Sequence, residues 1–333
     1  MKKSNIALAA LALIASTAVM AEGVNVSGYI DAGVQNNSVG KNTNMIGGVL
    51  NINHVAFSGS EDLGNGMKAG FLLLTRFEST GGQMTRPGST GTLFEIANLN
   101  LSSAAGTIEL GRTVDAYWGN GVAAYDVTGG SNVGSAVSSV LNLRTSKVFV
   151  DNSIKYVSPS ISGVTVAATY VLNTSATGAT IASATQNDKS VTVNYAAGPV
   201  GVGAGYMKSD LAKGYFVGAG YDAGVAKINA IYQNAEDTTG ATLRNMGVNT
   251  AVPLSGELTL TAGYYKDSGA GAFLQGEGTS TQAGLIYALS KRTKLFANVQ
   301  RTTGLAQLNL GLSTPTASAG VGSAYTVGLG HSF

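Results

Sequence analysis

Beyond residue 22 the chain consists largely of short segments in which apolar and polar residues alternate. The last segment has one apolar and aromatic face and one small and polar face: Tyr325, Val327, Leu329, His331 and Phe333 against Thr326, Gly328, Gly330 and Ser332. Successive side chains of a strand point to opposite sides, so this period of two predicts a strand whose two faces meet different surroundings.

About sixteen segments follow this pattern and are predicted to be strands. They lie at 24–34, 49–60, 66–78, 92–102, 105–112, 147–157, 162–172, 187–197, 199–208, 213–223, 224–234, 241–252, 256–266, 279–289, 293–303 and 321–333. The first of them, 24–34, sets Val26 and Ile30 against Ser27 and Asp31.

The connections between these strands are of two kinds, which alternate along the chain. Tight turns are predicted at 62–66, 104–106, 158–160, 197–199, 222–224, 253–256 and 290–292, where Gly, Pro, Asn, Asp and Ser favour hairpins. Longer polar stretches lie near 35–45, 79–91, 113–147, 173–186, 209–212, 235–240, 267–278 and 304–320. Transmembrane barrels show this asymmetry, with short periplasmic turns and longer outer loops, so both termini are expected on the periplasmic side.

Composition agrees with a barrel in lipid. The chain is 44% hydrophobic with a mean hydropathy of +0.17, yet no apolar run of helix length follows the N-terminal region. Only 11% of residues are charged, as expected where every second side chain meets lipid. A closed barrel satisfies every backbone group while presenting these alternating faces. A secreted β-solenoid or adhesin is the alternative, although no short internal repeat is visible.

Residues 1–21 are expected to form a secretory signal peptide, which leaves 22–333 as the barrel domain. Lys2 and Lys3 precede an apolar run from Ile6 to Ala15 and a small-residue cleavage site ending at Ala21. A transmembrane helix is the alternative, but the run is short for that. Without the two lysines, 18 of the 20 basic residues remain against 18 acidic ones. This balance argues against nucleic-acid binding, and the absence of cysteine excludes disulfides.

Several stretches, in this order and spacing, resemble the Gram-negative general porins, most of all the betaproteobacterial and neisserial type. They are Gly59 to Gly64 (GSEDLG), Leu110 to Arg112 (LGR), Asp151 to Tyr156 (DNSIKY) with Ser158-Pro159, Tyr221 to Gln233 (YDAGVAKINAIYQ), Tyr287 to Thr293 (YALSKRT) and Val327 to Phe333 (VGLGHSF).

The resemblance implies an all-β fold, a sixteen-stranded antiparallel transmembrane barrel of the outer membrane, with a long third loop folded into the pore. It also implies a homotrimer that passes small hydrophilic solutes and ions by diffusion, surrounded by outer-membrane lipid and lipopolysaccharide. The terminal Phe333, with Tyr325 on the same face, resembles the signal read by the barrel-assembly machinery.

In similar porins, acidic residues on the third loop oppose basic residues on the wall, and such charge clusters select ions. The stretch 113–147 is the candidate loop, and Asp115 and Asp126 are its carboxylates. The basic candidates on the wall are Arg112, Lys155, His54, Arg144, Lys147 and Arg76. Each of them has the alternative of a side chain that reaches the membrane interface or is solvated in a loop.

Alternation distinguishes two of these candidates. Lys155 alternates with Ile154 and Tyr156 and is expected to face the lumen, as are Tyr29 and Asp31. Arg112 instead falls on the side of Ile108 and Leu110, so that it reaches the lumen only if a bulge at Gly111 re-aims it.

One position departs from the family pattern in a way that bears on selectivity. Similar porins tend to carry an Arg and then a Lys before Gly-Ser-Glu-Asp, where this chain has His54 and Ser58. His54 would be largely neutral at pH 7 and charged below a pKa of about 6.5. We therefore expect a weak anion preference that increases as the pH falls.

Three other functions are weighed against diffusion. A barrel enzyme needs a nucleophile or an activated water with an oriented base, but the chain has 2 His, neither within a catalytic signature. No metal or cofactor motif is recognised, and none is expected. A solute-specific channel on the same scaffold, or an adhesin or structural barrel, stays open from the sequence.

Overall fold

A computed structural model describes residues 23–38, 41–84, 93–127, 148–172, 188–209, 212–270, 276–304 and 321–333. The strands in these ranges are β1 (Asn25–Asn37), β2 (Asn42–Ile46), β3 (His54–Gly64), β4 (Met67–Arg76), β5 (Ile96–Ser103), β6 (Gly106–Val114), β7 (Phe149–Val157), β8 (Val164–Val171), β9 (Lys189–Ala197), β10 (Val200–Lys208), β11 (Ala212–Asp222), β12 (Lys227–Asp237), β13 (Thr242–Pro253), β14 (Leu258–Ala270), β15 (Gly276–Ala288), β16 (Thr293–Gly304) and β17 (Val321–Ser332). A π-helical turn, Tyr117–Gly121, and a 3₁₀ turn, Val122–Tyr125, follow β6.

The described strands form a closed barrel. From β3 to β17 each strand pairs antiparallel with the next, and β17 pairs with β1 from Tyr29↔Ser332 to Asn37↔Ala324. β2 and β3 both pair with β1, on its 33–37 and 25–29 halves, so together they fill one position. The predicted barrel of sixteen antiparallel strands is confirmed. Closure leaves no unpaired edge, which a barrel in lipid requires.

Alternation separates an outward from an inward row on each strand. On β9 the outward side chains of Val191, Val193 and Tyr195 are exposed, whereas Ser190 and Thr192 are buried. Polar side chains dominate the inward row elsewhere too, for example Asn229, Gln233, Asn245, Asn249, Gln282 and Gln300. The barrel is thus apolar outside and polar inside, the reverse of a soluble fold.

Most predicted strands agree with the structure to within a few residues, but the region 35–53 differs. β1 continues to Asn37 and β2 occupies 42–46, where a loop was predicted, while 47–53 is not strand although 49–60 was predicted as one. The excursion 47–53 interrupts the barrel strand because side chains, rather than a strand ladder, hold it to β1. The Asp31 carboxylate accepts from the backbone of Val49 and Leu50, and the Asn53 amide bonds the backbone of Asp31.

The connections emerge at two ends of the barrel. The end here called the turn end carries both termini of the barrel and the connections 65–66, 104–105, 158–163, 198–199, 223–226, 254–257 and 289–292. The loop end carries the remaining connections, of which 77–95, 115–148, 172–188 and 305–320 are the longest. The predicted alternation in length is not strict, since 209–211 and 238–241 at the loop end are short. Among the described residues, no helix has the length and apolarity needed to span a membrane.

Candidate functional site

Residues 115–127, the first part of the long connection after β6, lie against the inward row of β9 to β13. Tyr117 and Val122 are completely buried, and the Tyr117 ring meets the Phe216 ring edge-on with 5.3 Å between centroids. Tyr125 completes the contact at 6.2 Å from Phe216. The surrounding apolar cluster comprises Met207, Ala212, Ile231, Ala235, Leu243 and Tyr265.

Hydrogen bonds also hold residues 115–127 to strands that come much later in the chain. The Tyr125 hydroxyl donates to Asn194 Oδ1 at 3.1 Å. Asn249 Nδ2 donates to the Tyr125 carbonyl at 2.9 Å, and the Val127 N–H donates to Asn249 Oδ1 at 3.0 Å. Residues 128–147, which include the candidates Arg144 and Lys147, lie outside the described residues, so folding of the whole loop into the pore remains a prediction.

The two predicted loop carboxylates, Asp115 and Asp126, are both buried. Asp115 accepts hydrogen bonds from the Ser190 hydroxyl at 2.7 Å and from the Tyr117 N–H at 3.0 Å. Burial raises the pKa of Asp115, and these hydrogen bonds together with the charge of Lys155 oppose that rise. Asp115 therefore anchors the beginning of the segment to β9.

Lys155 lies in the inward row of β7 and is buried. Its Nζ is 3.7 Å from Glu109 Oε1 on the neighbouring strand β6. Glu109 also accepts hydrogen bonds from the Thr113 hydroxyl and, at 3.4 Å, from Asn98 Nδ2. The basic side chain is thus matched by a carboxylate on the same wall.

Arg76 and His54 form a second basic group, on β4 and β3. They are directly opposite in register, and Tyr29 of β1 lies opposite His54 on its other side. All three are buried. Arg76 Nε is 3.7 Å from Glu95 Oε1, and His54 Nδ1 is 2.8 Å from the Ile52 carbonyl.

Arg112 lies on the other side of the barrel wall from these cations. It pairs with Ala97 of β5, two residues beyond the Leu99↔Leu110 pair, and so lies on the same side of the strand as Leu110, as alternation predicts. The register of β6 and β7 shifts between Gly111 and Thr113, next to Asn152 with φ of 49°. The guanidinium donates to Asp151 Oδ1 at 2.6 Å and to the Glu95 carbonyl at 3.0 Å.

Asp31 lies in the inward row of β1, and backbone N–H groups occupy its carboxylate. Its two oxygens accept from the Val49 N–H at 2.9 Å and the Leu50 N–H at 2.8 Å. The Tyr29 hydroxyl donates to the same carboxylate at 3.3 Å. Asp31 therefore holds the excursion 47–53 against the inner side of β1, a feature that sequence reasoning missed because a strand was predicted there.

The opposite wall, from β12 to β17, is uncharged over most of its inward row. Amides join neighbouring strands, with Gln233 Nε2 donating to Asn245 Oδ1 at 3.3 Å and Gln300 Nε2 donating to Ser280 Oγ at 3.2 Å. The side-chain amide of Gln282 has no hydrogen-bond partner among the described residues. The Asn and Gln residues that share the inward parity of these strands were the available sequence signal for this wall.

The terminal residues close the barrel. Phe333 exchanges backbone hydrogen bonds with Gly28, at 3.0 and 2.9 Å. Its ring lies on Gly28, where a Cβ would come within 2.3 Å of Cζ. Tyr325 is exposed on the outward side of β17, so both aromatic residues of the predicted assembly signal face outward.

A polar interior inside an outward apolar barrel is the architecture of a channel, and comparison with known proteins gives the family. A family model described as Gram-negative porin matches residues 7–307. The chain belongs to the Gram-negative porins. Membership confirms the predicted channel of the outer membrane, and it favours a passive channel over an enzyme.

Curated relatives of this porin carry the same description. Outer membrane porin protein 32 of Delftia acidovorans is 27% identical over 364 residues, covering 100% of both chains. A second outer membrane porin protein, from Bordetella pertussis, is 28% identical over 278 residues, 71% of this chain and 70% of that protein.

Solved structures of porins share the fold. The anion-selective porin from Comamonas acidovorans superimposes with a TM-score of 0.76 at 20% identity, over 93% of this chain and 99% of that one. OmpT of Vibrio cholerae in its trimer form gives 0.71 at 13% identity, over 93% and 99%.

Proposed function

We propose that this porin passes small hydrophilic solutes and ions by diffusion with only a weak ion preference. The observation that carries the proposal is the pairing of the inward cations. Lys155 lies beside Glu109, and Arg76 lies beside Glu95. A cation that is matched by a neighbouring carboxylate contributes little net field, so neither pair favours one sign of ion strongly.

We further propose that the residual preference is for anions and that His54 increases it at low pH. The direction rests on the family resemblance and on the Comamonas relative, which is described as anion-selective. His54 supports the pH dependence because it stands beside Arg76, so that its protonation would add a second positive charge at one place on the wall. Asp115 and Asp126 are the proposed opposing carboxylates, and Arg144 and Lys147 remain basic candidates. Arg112 is the weaker candidate, because its guanidinium lies on the side of Leu110.

The assembly is proposed to be a homotrimer, exported with residues 1–21 as signal and inserted by the assembly machinery through Phe333. The trimer is supported by the relative whose structure is described as a trimer form. An outer wall that packs against a copy of itself would account for it physically.

Single-channel recording of the purified protein in a planar bilayer tests these proposals together. Steps that arrive in threes and a small reversal potential in a salt gradient, shifting toward anions between pH 7.5 and pH 5, are expected. The matched variant His54→Gln is expected to lose that pH shift. A folded barrel without conductance would contradict the channel and favour a structural or adhesive role.

A solute-specific channel is the second candidate, favoured by the uncharged wall. Gln282 and Gln300 lie opposite each other on β15 and β16, and both have amide oxygens without a partner among the described residues. Both oxygens are buried, so a neutral solute would bond to them once the lumen side chains that cover them move aside. Uptake into liposomes that saturates at low solute concentration, and is weakened by Gln282→Leu, would support this function, whereas linear uptake would support diffusion.

A further inference from the structure

A buried carboxylate on the inner side of β14 has one oxygen without a hydrogen bond. Asp267 belongs to the inward row near the loop end of this strand and is only 3% exposed. Asn245 Nδ2 of β13 donates to its Oδ1 at 2.9 Å. Its other oxygen, Oδ2, has no hydrogen-bond partner among the described residues. Because a charge removed from water is costly unless it is paired, this oxygen is a strong acceptor for a ligand.

The carboxylate ends a row of three side chains on neighbouring strands, here called the acceptor row: Gln233, Asn245 and Asp267. Gln233 of β12 lies opposite Asn245, which lies opposite Asp267, and all three are buried. Gln233 Nε2 donates to Asn245 Oδ1 at 3.3 Å, so both bonds run toward the carboxylate. Gln233 Oε1 is left, like Asp267 Oδ2, without a partner among the described residues. A ligand that bonds to these two oxygens must therefore supply donors.

The cations next to this row in the chain do not pair with Asp267. Lys266 lies on the outward side of β14, where its Nζ is 2.9 Å from Glu277 Oε2, and Arg244 is exposed on the outward side of β13. Within the described ranges, Asp267 has no ion pair with a lysine, arginine or histidine. Protonation would remove the charge of Asp267, but the O–H group would then be a donor without an acceptor there. A cationic donor satisfies the carboxylate better than a proton does.

The wall beside the acceptor row, toward the turn end, is aromatic and carries further negative charge. Tyr265, the preceding inward residue of β14, is fully buried and belongs to the apolar cluster described above. Its ring lies against Gly247 and Gly263, where the ring leaves no room for a Cβ. Asp126 interacts electrostatically with Tyr265. A cation with a short apolar part therefore finds a carboxylate and an aromatic ring side by side.

A primary ammonium group has the properties that these contacts require. It is compact, carries a positive charge and offers three N–H donors, and its hydrogen bond to a carboxylate is charge-assisted. A calcium ion would need about six to eight oxygen ligands, whereas the row has two unpartnered oxygens among the described residues. A quaternary ammonium has no N–H donor and is too bulky for buried acceptors. An alkyl chain on the ammonium would pack against the aromatic ring, which also attracts cations.

We propose that the acceptor row binds the primary ammonium group of small alkylamines that enter the lumen, with Asp267 as the charged partner. Because the acceptors are buried, the ammonium group binds as the lumen side chains that cover them move aside. This inference rests on the proposed diffusion function only in requiring that solutes reach the lumen. It is independent of the ion preference, which was argued from Lys155, Arg76 and His54.

Saturation-transfer NMR of the folded porin in a non-ionic detergent measures the dissociation constants of three probes. The first, n-butylammonium, has N–H donors and an alkyl chain. Tetramethylammonium has the same charge without N–H donors, and 1-butanol has the chain without the charge. Wild type is compared with Asp267→Asn, which removes the charge and keeps the shape, and with Gln233→Met, which removes the amide and keeps the length. Glu277→Gln removes a carboxylate from the outward side of the neighbouring strand β15 and is the matched control.

We expect n-butylammonium to bind Asp267→Asn about tenfold or more weakly than wild type, and Gln233→Met about threefold more weakly. Binding to Glu277→Gln is expected within about twofold of wild type. Tetramethylammonium and 1-butanol are expected to bind all four proteins weakly. Equal binding of n-butylammonium to wild type and Asp267→Asn would overturn the proposal, and so would equal binding of n-butylammonium and tetramethylammonium to wild type.

Two further measurements make every outcome decisive. The heat-modifiable band shows that each variant is folded, and if Asp267→Asn did not fold, unchanged binding by Gln233→Met would overturn the proposal by itself. Single-channel conductance distinguishes failure of the site from failure of the channel. A wild-type protein that conducts but does not bind n-butylammonium would overturn the amine site alone, whereas a folded barrel that binds the amine without conducting would overturn the diffusion channel alone.

Discussion

The ring of Tyr125 lies directly on Gly218 of β11, so that a Cβ at residue 218 would come within 2.4 Å of Tyr125 Cδ2. The glycine thus provides the space in which the start of the long connection rests on the barrel wall. Gly203 on β10 has the same relation to the Tyr125 hydroxyl, at 2.3 Å. Residues 115–127 therefore pack against the barrel wall at glycines that leave room for the Tyr125 side chain.

Gly218→Val is expected to displace Tyr125 and destabilise the barrel by about 1–3 kcal/mol, as overpacking does. The measurement is the thermal midpoint of the folded band, together with the noise of the open channel, which we expect to rise. Ala219→Val, on the outward side of the same strand, is the control. Because Tyr125→Ala empties the space, the double variant is expected to be more stable than the sum of the two changes implies. Additive effects would show that the two residues do not press on each other.

Glu109→Gln is expected to shift the reversal potential toward anions, because it leaves the buried Lys155 without its carboxylate. Lys155→Gln is expected to shift it toward cations. Breaking a buried pair costs about 3–5 kcal/mol, so the thermal midpoint should fall in both variants. Lys213→Gln, an equal change of charge on the outer surface, serves as the control. If Glu109→Gln shifted the reversal potential toward cations, or if neither variant shifted it, the pair would have no part in selectivity.

Arg112→Gln is expected to change the reversal potential less than Lys155→Gln does. The reason is that the guanidinium is bonded to Asp151 and to the Glu95 carbonyl on the side of Leu110. Loss of these charge-assisted bonds is expected to cost about 1–3 kcal/mol of stability. If Arg112→Gln instead altered selectivity as strongly as Lys155→Gln, the guanidinium would have to reach the pore.

Asp31→Ala is expected to loosen the excursion 47–53, because the Val49 and Leu50 N–H groups lose their acceptor. Each buried group left without a partner costs about 1–3 kcal/mol. Hydrogen exchange of a peptide covering 47–53 should accelerate strongly, and Asp31→Asn, which keeps one carbonyl oxygen, should have an intermediate effect. Asp62→Ala removes a similar carboxylate–backbone bond at the turn end and is expected to leave this peptide unchanged.

Gly28→Val is expected to impair barrel folding as severely as Phe333→Ala. The Phe333 ring occupies the space that a side chain at residue 28 would need, and the His54 carbonyl oxygen would be 2.6 Å from its Cβ. The yield of heat-modifiable barrel after refolding into detergent is the measurement. Ala32→Val, also on the outward side of β1, is the control and should fold normally. Normal folding of Gly28→Val would show that the barrel does not need the Phe333 ring to pack on residue 28.

The sequence by itself determined the barrel. A period of two is a local property, and tight turns join alternate pairs of neighbouring strands. The strands, their hairpin pairing and the polar interior therefore follow without long-range information. In the structure Ile108 and Leu110 lie outward and Lys155 lies in the inward row, the sides that alternation gives them; the role of Lys155 in the pore stays a prediction. The position of Arg112 on the side of Leu110 also agrees with simple alternation.

Only the tertiary structure decided what each inward side chain meets. Arg76 and Glu95 lie on opposite sides of a long connection, so no sequence pattern predicts their pairing. The contact of Tyr125 with Gly218 joins the long connection after β6 to a strand much later in the chain. The excursion 47–53 escaped prediction because its apolar residues fit a strand, while the acceptor that bends them inward, Asp31, belongs to β1. Pore chemistry depends on such contacts across the closed barrel, and closure is a property of the whole chain.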